Sequence, residues 1–484
     1  MMRRAGVVSL LLVALVAAAV AATSATPQQM PDRSRPPALG PAPALHLPAI
    51  EKRALSNGLP VWILGVHKVP TVHLQLAVRA GIAADPAGKF GLSSLTADML
   101  DEGAGTRSAL EIADAIDFLG AELSTNGGSD ASFVDLHVPT ARLANALPIM
   151  ADVIARPTFP DAELKRLREE RLASLLEAQD DPEQLIQFAF PRLVFGQQHR
   201  YGTPAVGTAA GLKGITVADL KAFHASRYQP SNAALIVTGD VTPDAIVPAL
   251  EKAFGTWTGG AAAQPASPPH AAQLTARHVY LVDKPDAAQS QIRIGWVGVP
   301  RSTPDYFAVR VLNTILGEAF TSRLNNNLRE VHGYAYGASS RFDMRLSAGA
   351  FYATAGVQTD KTADALKEFF VELDRIHQLV PAEELEKAKN YVSLQLPRSF
   401  ETTRGAAGAL AQIFVYGLPA DYYTAYGSHI QAVTAADVKR AADKYIQPEK
   451  FDIVIVGDRK TVEAGVKAMN LGPLTVVEPS EIFK

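Results

Sequence analysis

The strongest constraint on the fold is a pattern that occurs twice. Residues 215–240, ITVADLKAFHASRYQPSNAALIVTGD, and residues 433–458, VTAADVKRAADKYIQPEKFDIVIVGD, follow the same plan. Thr216 and Asp219 are matched by Thr434 and Asp437, each 218 residues further on. Tyr228-Gln229-Pro230 resembles Tyr445-Ile446-Gln447-Pro448, and Val237-Thr238-Gly239-Asp240 resembles Val456-Gly457-Asp458. In each copy a Thr caps a helix, because its hydroxyl satisfies backbone N–H groups left without partners at the first turn. An apolar strand follows and stops at Gly-Asp. The period is too long for a solenoid, so the chain reads as a duplicated α/β unit.

Two such units fit within 484 residues, each with its own core. Apolar residues make up 48%, charged residues 20%, and the net charge is −3, which fits a globular protein. No basic block marks a nucleic-acid binder. Arg3 and Arg4 precede an apolar run, Ala5 to Ala22, that ends in small residues. This is the pattern of a secretory signal peptide, expected over 1–25, with an uncleaved anchor as the alternative. No later run is long and apolar enough to span a membrane. With no Cys, disulfides, thiolate metal sites and lipoprotein attachment are excluded. The expected location is periplasmic or secreted, in a bacterium.

Residues 26–48 are a Pro- and Ala-rich leader that cannot form a core. Asn57-Gly58 predicts a hairpin between two strands. The strand VHLQLAVRAG leads into Phe90–Asp101, FGLSSLTADMLD, where Leu92, Leu95, Met99 and Leu100 recur at helical steps. A helix is expected over Thr106 to Leu119, with Ser108 as a possible cap, then strands at AELSTNGG and ASFVDLHVP, and a long helix from Asp161 to Gln179. A linker over 259–272, rich in Gly, Ala and Pro, separates a first domain (49–258) from a second (273–484). In the second, strands are expected at HVYLVDK, SQIRIGWVGVP and LSAGAFYATAGVQ, and a helix over Phe307 to Leu316.

A helix offering two His and a Glu on one face holds zinc and a general base. Phe90–Asp101 has the rhythm of such a helix but not the ligands. The eleven His give no help, since no two of them sit three or four residues apart.

Five blocks resemble the M16 peptidases, the pitrilysin and mitochondrial-processing-peptidase family, in that family's order: 55–59, 90–103, 155–183, 199–208 and 316–337. The resemblance covers roughly residues 50 to 465. It implies an α+β fold of two homologous domains, each an antiparallel sheet packed with helices. It also implies an inverted zinc motif, H-x-x-E-H, with a distant Glu. On this chain the first His is Ser94, the base Glu is Ala97 and the second His is Asp98. The distant Glu falls on Glu177 and a supporting Glu on Glu170, both of which read equally as solvated helix face. No metal is therefore expected in this chain.

The family's second domain contributes an Arg and a Tyr seven residues apart, matched here by Arg329 and Tyr336. A guanidinium and a phenol are fixed donors for the carbonyls of a peptide bound as an added strand. Departures from the pattern are Tyr334 for the usual Leu, and Glu318 in what is often a glycine run. Asn126-Gly127-Gly128 reads as a turn near the family's peptide-binding edge, and His332 as a loop histidine.

The resemblance implies a companion subunit. It would pair with an H-x-x-E-H subunit that carries the zinc, bind peptide, and supply Arg329 and Tyr336. The alternatives are a non-catalytic peptide-binding or scaffold subunit, like the family's structural core subunits of respiratory complexes, and an independent peptidase with an unusual site.

Overall fold

The computed structural model describes residues 49–259 and 270–483; the expected signal peptide, the leader and most of the linker lie outside the described residues. In the first half, β1 (Glu51–Ala54) and β2 (Pro60–Gly65) form the expected hairpin. Gly58 takes the left-handed φ of +82° that the turn requires. With β3 (Thr71–Val78), β4 (Glu122–Gly127), β5 (Ser132–Pro139) and β6 (Ala233–Gly239), the strand order is β1-β2-β6-β3-β5-β4.

The second half has β7 (His278–Asp283), β8 (Gln289–Val297), β9 (Ala335–Phe342), β10 (Ala350–Gln358), β11 (Asp452–Gly457) and β12 (Leu474–Val477). Its order is β12-β7-β11-β8-β10-β9. Five strands thus repeat in the same order, from β2-β6-β3-β5-β4 to β7-β11-β8-β10-β9. Both sheets are antiparallel except at β2/β6, β7/β11 and β7/β12. Those parallel pairs join strands far apart in sequence, where a long crossover is available. The edge strands are β1 and β4 in one half and β9 and β12 in the other.

The helices that shape the site are α1 (Leu92–Asp98), α2 (Ala109–Phe118), α3 (Asp161–Glu177), α4 (Pro182–Phe195) and α5 (Val217–Arg227), then α6 (Tyr306–Asn313), α7 (Ala382–Gln395), α8 (Thr403–Tyr416), α9 (Tyr422–Ala432) and α10 (Ala435–Tyr445). Both expected caps are present. Thr216 caps α5 and Thr434 caps α10, each in a reciprocal box with the Asp three residues later. α2 begins at Ala109 rather than at Thr106. Arg107–Ser108 pairs with Gly103–Ala104, which holds Thr106 out of the helix, and Ser108 caps it with Glu111.

The two halves interlock by exchanging helices. α4 of the first half buries Leu185, Ile186 and Phe190 against Val297, Val454 and Val456 of the second sheet. α8 of the second half buries Ala406, Ala407 and Leu410 in the core that also holds Ala77, Ala234 and Ile236 of the first sheet. Small residues on both sides permit close approach, and hydrogen bonds fix the seam. The Thr238 hydroxyl donates to Thr403 O at 2.7 Å, and Arg79 donates to Phe414 O at 2.6 Å.

Candidate functional site

α1 starts from Gly91, whose φ is +98° and whose Cα side packs on Gly207; a Cβ there would lie 2.7 Å from Gly207 Cα. Asp85 fixes the same start by accepting from Gly91 N and Ser93 N, both at 2.7 Å. Burial pushes the Asp85 carboxyl up to about 6, against the pull of those bonds. Leu92, Leu95, Met99 and Leu100 are buried in the first core as their spacing predicts. Ser94, Ala97 and Asp98 occupy the other face. Gly127, at the end of edge strand β4, lies so close that a Cβ would come within 2.6 Å of Ser94 Cα.

The face with Ser94 and Asp98 is occupied by Arg171 of α3. Its guanidinium is buried, with 10% of the side chain exposed, and donates to Ser94 Oγ at 3.0 Å and to Asp98 Oδ2 at 2.5 Å. It also donates to Val206 O at 3.2 Å. Ser94 in turn donates its hydroxyl hydrogen to Ala205 O at 2.5 Å. A zinc ion does not fit this corner. A cation already stands between residues 94 and 98, the serine proton is committed elsewhere, and the Ala97 methyl is fully buried and offers no donor. Among the described residues no group of three or more His, Asp or Glu side chains is placed to hold a metal ion.

Neither Glu170 nor Glu177 of α3 joins this corner through a hydrogen bond or ion pair. Glu170 is exposed and accepts from Arg166 at 2.9 Å. Glu177 is exposed in the last turn and, among the described residues, makes no side-chain hydrogen bond or ion pair. They sit about 100° and 120° around the helix from Arg171. A second arginine, Arg166, ties Glu102 to α3 at 2.5 Å. Close by, burial raises Asp101 to about 6 although Thr125 donates to it at 3.1 Å. The sequence reading missed Arg171. The available signal was a cationic residue on a helix aligned with the family's ligand helix, one position beyond Glu170.

The Arg/Tyr corner is built differently. After α6 the chain widens into a π turn, Thr314–Glu318. Glu318 folds back on that helix, accepting from Arg310 at 2.7 Å and Asn313 at 3.2 Å, so it stiffens the loop. Buried Arg323 anchors the next segment by a two-pronged bond to Glu384 at 2.8 and 2.6 Å. A second π turn, Asn326–Val331, carries Arg329. Such turns are rare and recur at functional sites. Gly333, at φ +64°, ends it, and β9 begins two residues later.

Tyr336 and Gly337 form a bulge in β9, because Ala335 pairs with Val357 and Ala338 already pairs with Ala355. The bulge turns Tyr336 outward, to 88% exposure. The Arg329 guanidinium lies 5.3 Å from the Tyr336 ring centroid and 4.6 Å from that of Phe320. The structure therefore brings Arg329 and Tyr336 together, and adds Phe320, also exposed. Asn325 sets the frame, donating to Phe320 O at 2.6 Å and accepting from Ala338 N at 3.0 Å, just past the bulge. Phe320, Asn325 and the bulge carried no sequence signal. His332 stacks on Tyr334 and faces Glu368 at 3.6 Å.

The fold and these two corners define a peptidase-like chain of the M16 type. The family model described as "Insulinase (Peptidase family M16)" matches residues 63–203, and that described as "Peptidase M16 inactive domain" matches 214–392. Together they span about two thirds of the chain, which belongs to the M16 family. It is 28% identical over 320 residues to an uncharacterized zinc protease of Mycobacterium leprae, covering 65% of this chain and 71% of that protein. The crystal structure of an M16 inactive domain from Pseudomonas fluorescens superposes with a TM-score of 0.78 at 26% identity, over 84% of this chain and 98% of that one. A chain of Complex III2 from Candida albicans shares the fold at 15% identity, with a TM-score of 0.71 over 87% of this chain and all of that one.

Proposed function

We propose that this chain is the non-zinc subunit of a heteromeric M16-type peptidase. It supplies Arg329 and Tyr336 to a peptide-hydrolysing site that an H-x-x-E-H subunit completes. The observation that supports this is an asymmetry. The ligand corner of the first half is filled by Arg171, whereas the Arg/Tyr corner presents a guanidinium and an exposed phenol beside an open strand edge. A peptide added to such an edge turns its carbonyls toward these donors, which then favour the charge developing on the attacked carbonyl oxygen. Zinc, on this reading, resides in the partner. The signal-peptide pattern over residues 1–25 supports a periplasmic or secreted location for the complex.

The test is peptide hydrolysis by the purified chain, alone and mixed with H-x-x-E-H subunits from the same organism. The chain alone is expected to be inactive and the mixture active. In the active mixture, Tyr336→Phe lowers kcat about 100-fold with little change in KM. An unchanged kcat would falsify the donor role. The second reading, a scaffold or peptide-binding subunit without turnover, draws on the fold shared with the Complex III2 chain. A stable complex that hydrolyses nothing in any mixture favours it.

A further inference from the structure

A second constellation lies away from both corners, between α6, α7, α8 and α9. These helices enclose a cavity of about 460 Å³. Its wall carries Arg301, Arg310 and Arg398 with Tyr306, Tyr422 and Tyr426, and no Asp or Glu among the described residues lines it.

Arg301 makes this a site rather than a packing gap. It is 7% exposed, yet no ion pair to it is found among the described residues. Its side chain donates to the Tyr422 hydroxyl at 2.6 Å and lies 3.7 Å over the Tyr306 ring and 5.0 Å from that of Tyr422. A buried cation ordinarily needs an anion, since desolvation disfavours its charge. Ring faces lower that cost but do not neutralise it. Arg310 differs, because Glu318 already pairs with it at 2.7 Å. Arg398 is exposed at the rim without an ion pair among the described residues. Two positive charges therefore converge on the cavity with no counter-charge in its wall.

The phenols complete the set. Tyr422 accepts from Arg301, and the Tyr422 and Tyr426 hydroxyls both interact with that of Tyr306, so the three phenols form one polar cluster in the wall. Burial pushes the Tyr422, Tyr423 and Tyr426 phenols well above their ordinary range, so they remain neutral donors at any physiological pH. Val392 and Leu396 add an apolar wall beside the tyrosine rings. A guanidinium with phenol donors suits a planar carboxylate, and the aromatic and aliphatic walls suit an organic tail.

We propose that this cavity binds an organic carboxylate of roughly amino-acid to dipeptide size, with its carboxylate on Arg301 and its tail against Tyr306 and Leu396. Two sources share that chemistry, a free aromatic acid and the carboxy terminus of a short peptide. The proposal does not rest on the peptidase reading, since neither Arg329 nor Tyr336 lines the cavity.

The test is calorimetric titration of the full chain with phenylacetate, with N-benzoylglycine, with the amide of each, and with inorganic phosphate. Both carboxylates are expected to bind and both amides to fail. Tighter phenylacetate assigns free acids, and tighter N-benzoylglycine assigns peptide termini. Arg398→Met, at the exposed rim, weakens binding about tenfold, and Arg301→Met abolishes it. If Arg301→Met does not fold, Arg398→Met and Tyr426→Phe carry the test. Absence of binding by the folded chain, amides binding as well as acids, phosphate binding without either carboxylate, or indifference to these substitutions overturns the proposal.

Discussion

The two halves place an arginine at corresponding edges and use it in opposite ways. In the first half Arg171 is buried and bound to Ser94, Asp98 and Val206 O, filling the corner onto which the family resemblance maps the zinc motif. In the second half Arg329 lies over two exposed rings beside a bulged strand edge. The first guanidinium is structural because its donors are taken and its surroundings are dry. The second keeps donors in reach of solvent, the condition for meeting a ligand. In the first corner a fixed guanidinium charge ties α3 to α1 through Ser94 and Asp98.

That contrast can be broken most directly by restoring the ligands. Ser94→His, Ala97→Glu and Asp98→His together are expected to gain little zinc affinity while Arg171 remains. Adding Arg171→Gln should tighten zinc binding on the order of 100-fold by calorimetry. Equal zinc affinity with and without Arg171 would remove the argument that its charge holds the site.

Stability sharpens the same comparison. Arg171→Ala leaves Ser94 and the half-exposed Asp98 without their donor and should cost about 2–3 kcal/mol in urea unfolding. Arg329→Ala, on the surface, should cost less than about 0.5 kcal/mol. Similar losses would mean the two arginines play like roles.

The matched strands β6 and β11 are both fully buried, but only β11 carries an ionisable side chain, Asp452 where β6 has Ala234. Burial raises the Asp452 carboxyl to about 7, and its Oδ2 has no partner. The folded protein therefore keeps a proton that the unfolded chain, with an ordinary aspartate near 3.9, has lost by about pH 5. With the unfolded state holding fewer protons, stability falls as pH rises from about 4 to about 7. Asp452→Ala should remove that slope and raise Tm at pH 8 by roughly 2–4 °C per kcal/mol gained. A larger gain at pH 5 than at pH 8 would reverse the sign and sink the assignment.

The smallest expected effect tests the duplication itself. Thr216→Ala and Thr434→Ala should each cost about 1 kcal/mol, equal within about 0.5 kcal/mol, because the two capping boxes are the same.

Much of this was legible in the chain. The caps at Thr216 and Thr434, the hairpin at Asn57-Gly58 and the buried face of α1 follow from contacts within a few residues, where sequence order and spatial order coincide. The proximity of Arg329 and Tyr336 was legible through the family resemblance. Arg171 was not, because it meets Asp98 from a helix more than seventy residues away. The exchange of α4 and α8 between sheets is equally non-local, as is the convergence of Arg301 with Tyr422.

By itself the sequence determined a duplicated M16 chain, because local periodicity and the order of its motif blocks suffice for that. Only the tertiary structure decided that Arg171 fills the corner of Ser94 and Asp98, which way Tyr336 faces, and that Arg301 has no ion pair among the described residues. Those depend on which charges and strand registers come together from distant segments, and burial sets their energies only after folding has brought them there.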